Sequence, residues 1–567
     1  MKHIKKSARF VFLLLALFAG ITSCKKLLDA PPGDVLTDEN MYRNVFDADA
    51  AVLGVYGKFI NLSERYVVLN ELRADLLTVT PGSNDWLKQV DAHNILDGNP
   101  YANPKPFYGV ILNCNDVMHN LDIMLYDKKL KVEEYNQRYS DIAALRCWLY
   151  LQLAIQFGNV PYITDPLADA ASLDKVNIAP RIGLNQLLDS LVKTMEGLPF
   201  LQPYPVTASL ATTVDGYGSS YFFINKQVIA GQLYLWRGDY HKAALAFKNV
   251  METGGAGNLN TYRLTGASKG DNNDLAVGYV RYREEDENML IDNNSQGWRS
   301  IFARSEDALF GYEWIWSLPF NKGYEPVDPF INLFSNRGGS FLVRPSQYAM
   351  GQWNAQKQKN DFAYDARGKI FSYRRLDGQP VVMKYLYNYL SETGFTPISL
   401  LQKNGRWFLY RAATLHLEFA EAANRDAHTP LAYALLNQGL TTIPNKITNE
   451  GSPYNFDARK SDNPKITGDW CLNSGIRGRA NLYSISLPAG DSTLPLEDAI
   501  INEAGLELAY EGERWPDLVR VALRRNDPSF LANKIYNKLL GENNPQAAAT
   551  RTRLMDKNNW WLPFKWQ

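Results

Sequence analysis

After its first two dozen residues this chain has no uninterrupted run of eighteen apolar residues, so nothing downstream predicts a membrane-crossing helix. Cysteine and histidine are scarce, at four and six in 567 residues. Apart from Cys24, only Cys114, Cys147 and Cys471 remain, too few to staple a chain of this length. Cys114 and Cys147 fall in apolar helical patterns and read as core thiols, with pairing among the three as the alternative. No H-E-x-x-H string occurs, and His93, His119, His241, His416 and His428 are scattered, so a zinc site is unsupported and no metal ligands are assigned. The formal net charge is zero. No basic block or stripe stands out, which argues against a nucleic-acid partner. No pattern calls for a cofactor.

What the chain does have begins at its N-terminus. Lys2, Lys5, Lys6 and Arg9 precede an apolar stretch from Phe10 to Ile21, and Ile21-Thr22-Ser23-Cys24 closes it. The stretch is too short to span a bilayer, which takes roughly 20 residues. The arrangement resembles a bacterial lipobox, in which residues 1–23 are a signal peptide cut before Cys24 and the cysteine thiol is acylated. Cleavage would leave a formal charge of −4. Each buried methylene of an acyl chain adds roughly 0.8 kcal/mol, so several chains hold a protein on a membrane without a helix.

Residues 25 to about 37 read as an extended tether around Pro31-Pro32-Gly33. Thr37 or Asp38 is the expected cap of a helix reaching Phe59. A polar loop is expected over about 80–107, then helices over about 108–126 and 133–157. The second of these stops at Phe157-Gly158-Asn159-Val160-Pro161. Segment 227–251 fits the tetratricopeptide register, with Gly231, Tyr234, Gly238, Tyr240, Ala243 and Phe247 at the required offsets. Gly231 and Ala243 would let two antiparallel helices approach closely. Similar hairpins are read at 409–440 and 108–157. Between about 255 and 404 Gly, Asn, Asp and Pro dominate, with strand-like runs at Trp314–Leu318 and Val381–Leu386. Loops of this length are usually functional. A second irregular stretch covers about 448–490.

The chain carries 13 Trp, 32 Tyr and 25 Phe, many in polar surroundings such as Ser83-Asn84-Asp85-Trp86 and Asn294-Ser295-Gln296-Gly297-Trp298. Such rings either stack on sugars or anchor loops to the body. Trp86 and Trp298, with Arg299 beside the latter, are the candidate ligand-binding residues. Gly266-Ala267-Ser268-Lys269-Gly270 matches G-x-S-x-G, but Asp271-Asn272-Asn273-Asp274 follows in place of a helix, so no nucleophile is assigned. That acidic cluster lacks the spaced ligands of a calcium loop and reads as a solvated turn.

Toward the C-terminus, Glu503, Glu507, Glu511 and Arg514 recur at helical spacing and should share one face. Two readings follow: paired catalytic carboxylates, as in a glycosidase, or a structural ion network in which Arg514 neutralises Glu507 or Glu511. The network is preferred.

The run from Glu507 through Tyr510, Glu511, Arg514, Trp515 and Asp517 to Arg520 resembles the C-terminal motif of the SusD/RagB family. Cys24-Lys25-Lys26-Leu27-Leu28-Asp29, Ala144-Leu145-Arg146 through Pro161, Asp365-Ala366-Arg367, Lys384-Tyr385 and Trp560-Trp561-Leu562-Pro563-Phe564 are similar to other family segments in the same order. Ala504 and Phe564-Lys565 depart from the pattern at positions that are structural in the family. The resemblance implies a mainly α, tetratricopeptide-like helical scaffold with a large loop-rich, partly β insert. On this reading a SusD-like helical region spans 24–254, a variable region 255–404 and a C-terminal helical region 405–567. The resemblance also implies an outer-membrane, lipid-anchored, surface-facing protein. It would bind glycan without catalysis and partner a SusC-like TonB-dependent transporter. A secreted helical glycoside hydrolase is the alternative.

Overall fold

The computed structural model describes residues 41–166, 180–251 apart from 215–216, 267–269, 275–277, 301–302, 313–439 apart from 322, 324, 360–362 and 392–393, 451–454, and 475–564 apart from 481. Helix α1 (Val45–Phe59) starts later than Thr37 or Asp38, both of which lie outside the described residues. Its cap is Asn44, whose side chain accepts from the N–H groups of Phe46 and Asp47. Strand β1 (Leu77–Val79) follows, then helix α2 (Asp85–Asp91), inside the stretch expected to be loop. The signal for α2 was the Asn84 side chain, which accepts from Leu87 N–H.

Helices α3 (Lys105–Tyr126) and α4 (Val132–Phe157) form the first hairpin. From Ser140 to Phe157 every residue of α4 is buried, because α1, α3, α5 (Leu184–Glu196) and α6 (Lys226–Arg237) surround it. A helix covered on all sides needs no polar stripe. It stops at Gly158, whose φ of +71° favours glycine. Helices α6 and α7 (Tyr240–Met251) make the second hairpin, and Gly238 turns between them at φ +91°. The expected close approach is present, and the partner is Phe247: a Cβ on Gly231 would lie 2.5 Å from its Cε1.

The central region is built of short pieces. Strand β2 (Trp314–Phe320), strand β3 (Val343–Pro345) and helix α8 (Gln347–Asn354) precede the hairpin of β4 (Tyr373–Leu376) and β5 (Gln379–Val382). Asp377 and Gly378, both at positive φ, make the turn that a two-residue hairpin prefers. Strand β6 (Gly405–Arg411) pairs antiparallel with β2, Trp407 opposite Leu318. Helices α9 (Ala412–Arg425) and α10 (Thr429–Leu436) form the third hairpin. Helices α11 (Thr493–Glu507), α12 (Arg514–Arg525), α13 (Pro528–Gly541) and α14 (Ala547–Leu554) complete a mainly helical scaffold.

The core joins these regions through aromatic rings. Phe59 of α1 stacks on Trp316 of β2 at 5.5 Å and meets Trp148 of α4 at 5.3 Å and Trp407 of β6 at 5.0 Å. The end of the described chain returns to α4: Leu562 N–H donates to Gln156 O at 2.8 Å, and Trp561 covers Gly158. Cys114 and Cys147 are buried free thiols, which removes the pairing alternative for them; Cys471 lies outside the described residues.

The α6–α7 contact yields a test. Gly231→Ala forces its methyl into the Phe247 ring and should destabilise the fold by about 1–3 kcal/mol, the usual range for overpacking. Calorimetry should show a lower melting temperature, with Phe247→Leu restoring part of the loss. An unchanged melting temperature for Gly231→Ala would mean that the helices separate freely.

Candidate functional site

The acidic signature is not one helical face. Helix α11 ends at Glu507, and Tyr510 and Gly512, both at positive φ, carry the chain through a turn to α12. Glu511 lies in that turn. The carboxylates nevertheless converge, because cations from four other segments enter between them. Glu507 receives Arg367 Nη1 at 2.8 Å, Arg411 Nη1 at 3.1 Å and Arg479. Glu511 receives Lys384 Nζ at 2.6 Å and Arg411 Nε at 2.8 Å. Glu503 is held by Arg367 and Arg477, each at 2.6 Å. Glu313 pairs with Arg411 at 2.8 Å and Arg479 at 3.0 Å, and Asp365 with Arg367 at 2.6 Å. Glu313, Asp365, Glu503, Glu507 and Glu511 are thus matched in number by Arg367, Lys384, Arg411, Arg477 and Arg479.

Arg514 does not neutralise Glu507 or Glu511. It forks onto Asp75, Nε at 2.7 Å and Nη2 at 2.8 Å, and donates to Ile501 O. Its own turn is capped by Glu71, whose carboxylate accepts from the N–H groups of Tyr510, Gly512, Glu513 and Arg514. Trp515 is buried under the Arg73 guanidinium, 4.1 Å from its ring. Arg520 binds Glu421 and Asp517, at 2.6 and 2.7 Å.

Burial pushes the Glu507 carboxyl upward, but Arg479, Arg411 and Arg367 outweigh it and hold the group well below the usual carboxylate range. Burial also opposes Arg411 and Lys384 at Glu511, and again the cations prevail. Neither group has the raised pKa or the open approach that a glycosidic acid uses. The signature is a buried ion network.

The predicted ligand-binding residues fare differently. Trp86 stands in the first turn of α2, not in a loop, and is 39% exposed. Its carbonyl accepts from Asn99 Nδ2 at 3.1 Å. The residues before it are clamped to the central region: β1 pairs with β3, Thr80 Oγ1 donates to Phe341 O at 2.6 Å, and Ser83 Oγ donates to Leu342 O. Trp298, Arg299 and Cys24 lie outside the described residues. Most other described tryptophans, among them Trp148, Trp314, Trp316, Trp353 and Trp407, are core residues of helices and strands. Ser268 sits within strand Ala267–Lys269, opposite Ala276, and a hairpin strand supplies no nucleophile elbow.

Two open cavities of 570 Å³ each escaped the sequence reading. One lies beside α8 and is walled by Asn354, Tyr364, Lys369, Tyr373 and Arg374. The other lies where the end of the chain meets α4, among Arg73, Asn94, Asn159, Arg181, Arg553 and Trp561. Its one sequence signal was the Trp560-Trp561 doublet, one ring buried and its neighbour half-buried.

Two buried acids shift in opposite directions. Burial alone would push Glu421 up, but Arg520 and Arg524 draw its carboxyl down to about 2. Burial pushes Glu71 up to about 8, against the N–H groups of Gly512, Tyr510 and Arg514. Both start from 4.5 in an open chain. Stability from Glu421 is therefore present above pH 4.5 and lost as pH falls toward 2. Stability from Glu71 is present below 4.5 and lost as pH rises through 8. Melting temperatures measured across this range should show that Glu421→Gln flattens the acid limb and Glu71→Gln the slope between 4.5 and 8. Parallel curves for wild type and variants would refute the assignment.

Comparison with known proteins places this geometry. Residues 346–565 match the SusD family model. SusD-like protein P2 of Formosa agariphila is 22% identical, over 94% of this chain and 95% of the relative. A SusD superfamily protein from Bacteroides vulgatus superposes with a TM-score of 0.59 at 15% identity, over 92% of this chain and 96% of the other. A protein described as a laminarin-binding SusD-like protein superposes with a TM-score of 0.53 at 15% identity, over 93% and 97%. The C-terminal match holds the residues of the ion network from Asp365 to Glu511, and nearly the whole chain is similar to SusD-like relatives.

Proposed function

We propose that this protein is a cell-surface lipoprotein that captures oligo- or polysaccharide and passes it, uncleaved, to a SusC-type TonB-dependent transporter in the outer membrane. The observation that carries this reading is the chemistry of the two 570 Å³ cavities. Among the described residues, both 570 Å³ cavities are walled by aromatic, amide and cationic side chains with no carboxylate. Cleavage of a glycosidic bond by the usual route uses two carboxylates across a cleft. Here the acids of the C-terminal signature are buried and matched by cations. Sugar rings stack their C–H faces on aromatic rings, while amides and guanidinium groups bind hydroxyls. The laminarin-binding neighbour supports the same ligand class.

Trp86 is the proposed platform in the described part of the chain, with Trp298 and Arg299 as its partners from the variable region. An open site that stacks one or two rings buries little surface, so affinity should be roughly micromolar to millimolar. Affinity electrophoresis against a polysaccharide panel should find a ligand that Trp86→Ala and Trp298→Ala each weaken, with melting temperatures nearly unchanged. Normal binding by both variants would move the platform elsewhere, and sugar released from the panel would favour the hydrolase.

The anchor and the partner give a second test. Cys24→Ala should release the protein from membranes or leave its signal uncleaved. Mild detergent extraction of the wild type should recover a large TonB-dependent barrel with it. A cleaved Cys24→Ala protein that stays on washed membranes would defeat the lipid anchor. Recovery of the wild type alone, with uptake unchanged on deletion, would defeat the partnership.

A further inference from the structure

The described walls of the cavity at the end of the chain carry a charge imbalance. Its innermost group is Arg73, 1% exposed. Arg73 Nη1 donates to Gln156 Oε1 at 2.6 Å, Nη2 donates to Trp560 O, and Nε has no partner among the described residues. Among the described residues no carboxylate pairs with it. Elsewhere the buried guanidinium groups of Arg138, Arg367, Arg411, Arg479, Arg514 and Arg520 each meet a carboxylate. A buried cation without a counterion is strongly unfavourable in isolation. Burial draws the Arg73 pKa down to about 9.

Two more guanidinium groups reach the same walls. Arg553 donates to Ala92 O at 3.1 Å and toward Asn94 Oδ1 at 3.4 Å, and Arg181 is exposed on its two-residue strand. Neither has a carboxylate partner among the described residues. His93 adds no negative charge. Its Nε2 lies 2.6 Å from the Arg73 carbonyl oxygen and donates to it, and burial, with Arg73, Lys538 and Arg553, drives its pKa well below the ordinary value. Lys538 is already matched by Asp91 at 2.9 Å. The excess charge in the walls is positive.

The remaining walls are suited to a sugar. Asn94, Asn159, Asn558 and Asn559 supply amides, and Trp561 is a half-buried indole fixed over Gly158. We infer that this cavity is a binding site for the anionic group of an acidic saccharide, a carboxylate or sulfate ester seated among Arg73, Arg181 and Arg553 with the sugar ring against Trp561. The anion supplies the missing counter-charge, since guanidinium binds carboxylate and sulfate oxygens through paired N–H groups. The site lies at the opposite end of α2 from Trp86. Its sugar half rests on the reading of the chain as a glycan binder, while its anion half does not.

Isothermal titration of the mature chain with sodium glucuronate, sodium sulfate and glucose separates these halves. Glucuronate should bind with a roughly millimolar Kd, sulfate several-fold more weakly, and glucose without measurable heat. Arg553→Gln and Arg181→Gln should each weaken glucuronate about tenfold, the scale of a lost charge-assisted hydrogen bond. Trp561→Ala should weaken glucuronate and leave sulfate unchanged. Arg181 is exposed, so its variant keeps the test valid if Arg553→Gln fails to fold. Sulfate binding as tightly as glucuronate would overturn the sugar half, and glucose matching glucuronate would overturn the anion half. Loss of neither ligand in the arginine variants would overturn both. Trp86→Ala should leave glucuronate binding intact, so failure of the polysaccharide platform and failure of this cavity remain distinguishable.

Discussion

The contact between Arg411 and Glu507 is the constraint from which the rest of the structure takes its register. Arg411 ends strand β6 and opens α9, while Glu507 ends α11. From that position Arg411 reaches Glu313 before β2, Glu507 and its carbonyl, and Glu511 beyond the turn. Both side chains are fully buried. An intact buried network of this kind adds little net stability, because desolvation of the ions offsets their attraction. Removal of one partner costs about 3–5 kcal/mol by stranding the others. The gain is specificity. Apolar faces of α9 and α11 could slide past one another by a residue with modest loss, whereas the forked donors of Arg367, Arg411 and Arg479 fit one arrangement only.

The aromatic hub acts on the same two strands, β2 and β6. Phe59, Trp148, Trp316 and Trp407 bring α1 and α4 onto the ribbon that the ion network holds from the C-terminal side. The two devices are complementary. Large rings supply most of the favourable burial in such a core, and the ions fix which pieces of chain supply them. Glu71 and Asp75 join the two: they lie beyond α1 in sequence, and they cap and pair the turn and Arg514 at the start of α12.

Much of this was legible in the sequence where one segment determines its own structure. The α6–α7 hairpin was readable because Gly231, Gly238 and Phe247 act within 17 residues, and the stop of α4 because Gly158 is its own signal. The short helix α2 was missed because seven residues carry too little periodicity to register, although Asn84 marked its start. The Glu503–Glu507–Glu511 spacing predicted one face, yet the positive φ of Tyr510 and Gly512 divides it between a helix and a turn. The correct grouping depended on Arg367, Arg411 and Arg479, which are remote in sequence. Arg514 was read against its near neighbours when its partner, Asp75, lies 439 residues away. The cavities were invisible for the same reason, since their walls come from segments that meet only in the fold. Trp86 was read as a loop residue and stands in α2, and Trp298 lies outside the described residues.

Locking the charges into the centre also shapes what the surface can do. Most buried carboxylates of the C-terminal signature are committed to cations, so on the proposed reading recognition falls to groups that need no proton transfer: indole, phenol, amide and guanidinium. Weak ligands held by a few stacked rings are sensitive to the entropy lost when a platform is ordered. For Trp86 as the proposed platform that loss is small. The N-cap of α2, the Asn99 bond to its carbonyl and the β1–β3 pairing fix its backbone before any ligand arrives. Trp561 is fixed in the same way, by the Leu562 bond to α4 and by the absence of a side chain at Gly158. Variation in ligand can then occur by exchange of rings and amides at such positions without disturbing the network beneath, because no residue of the network contributes to either cavity wall.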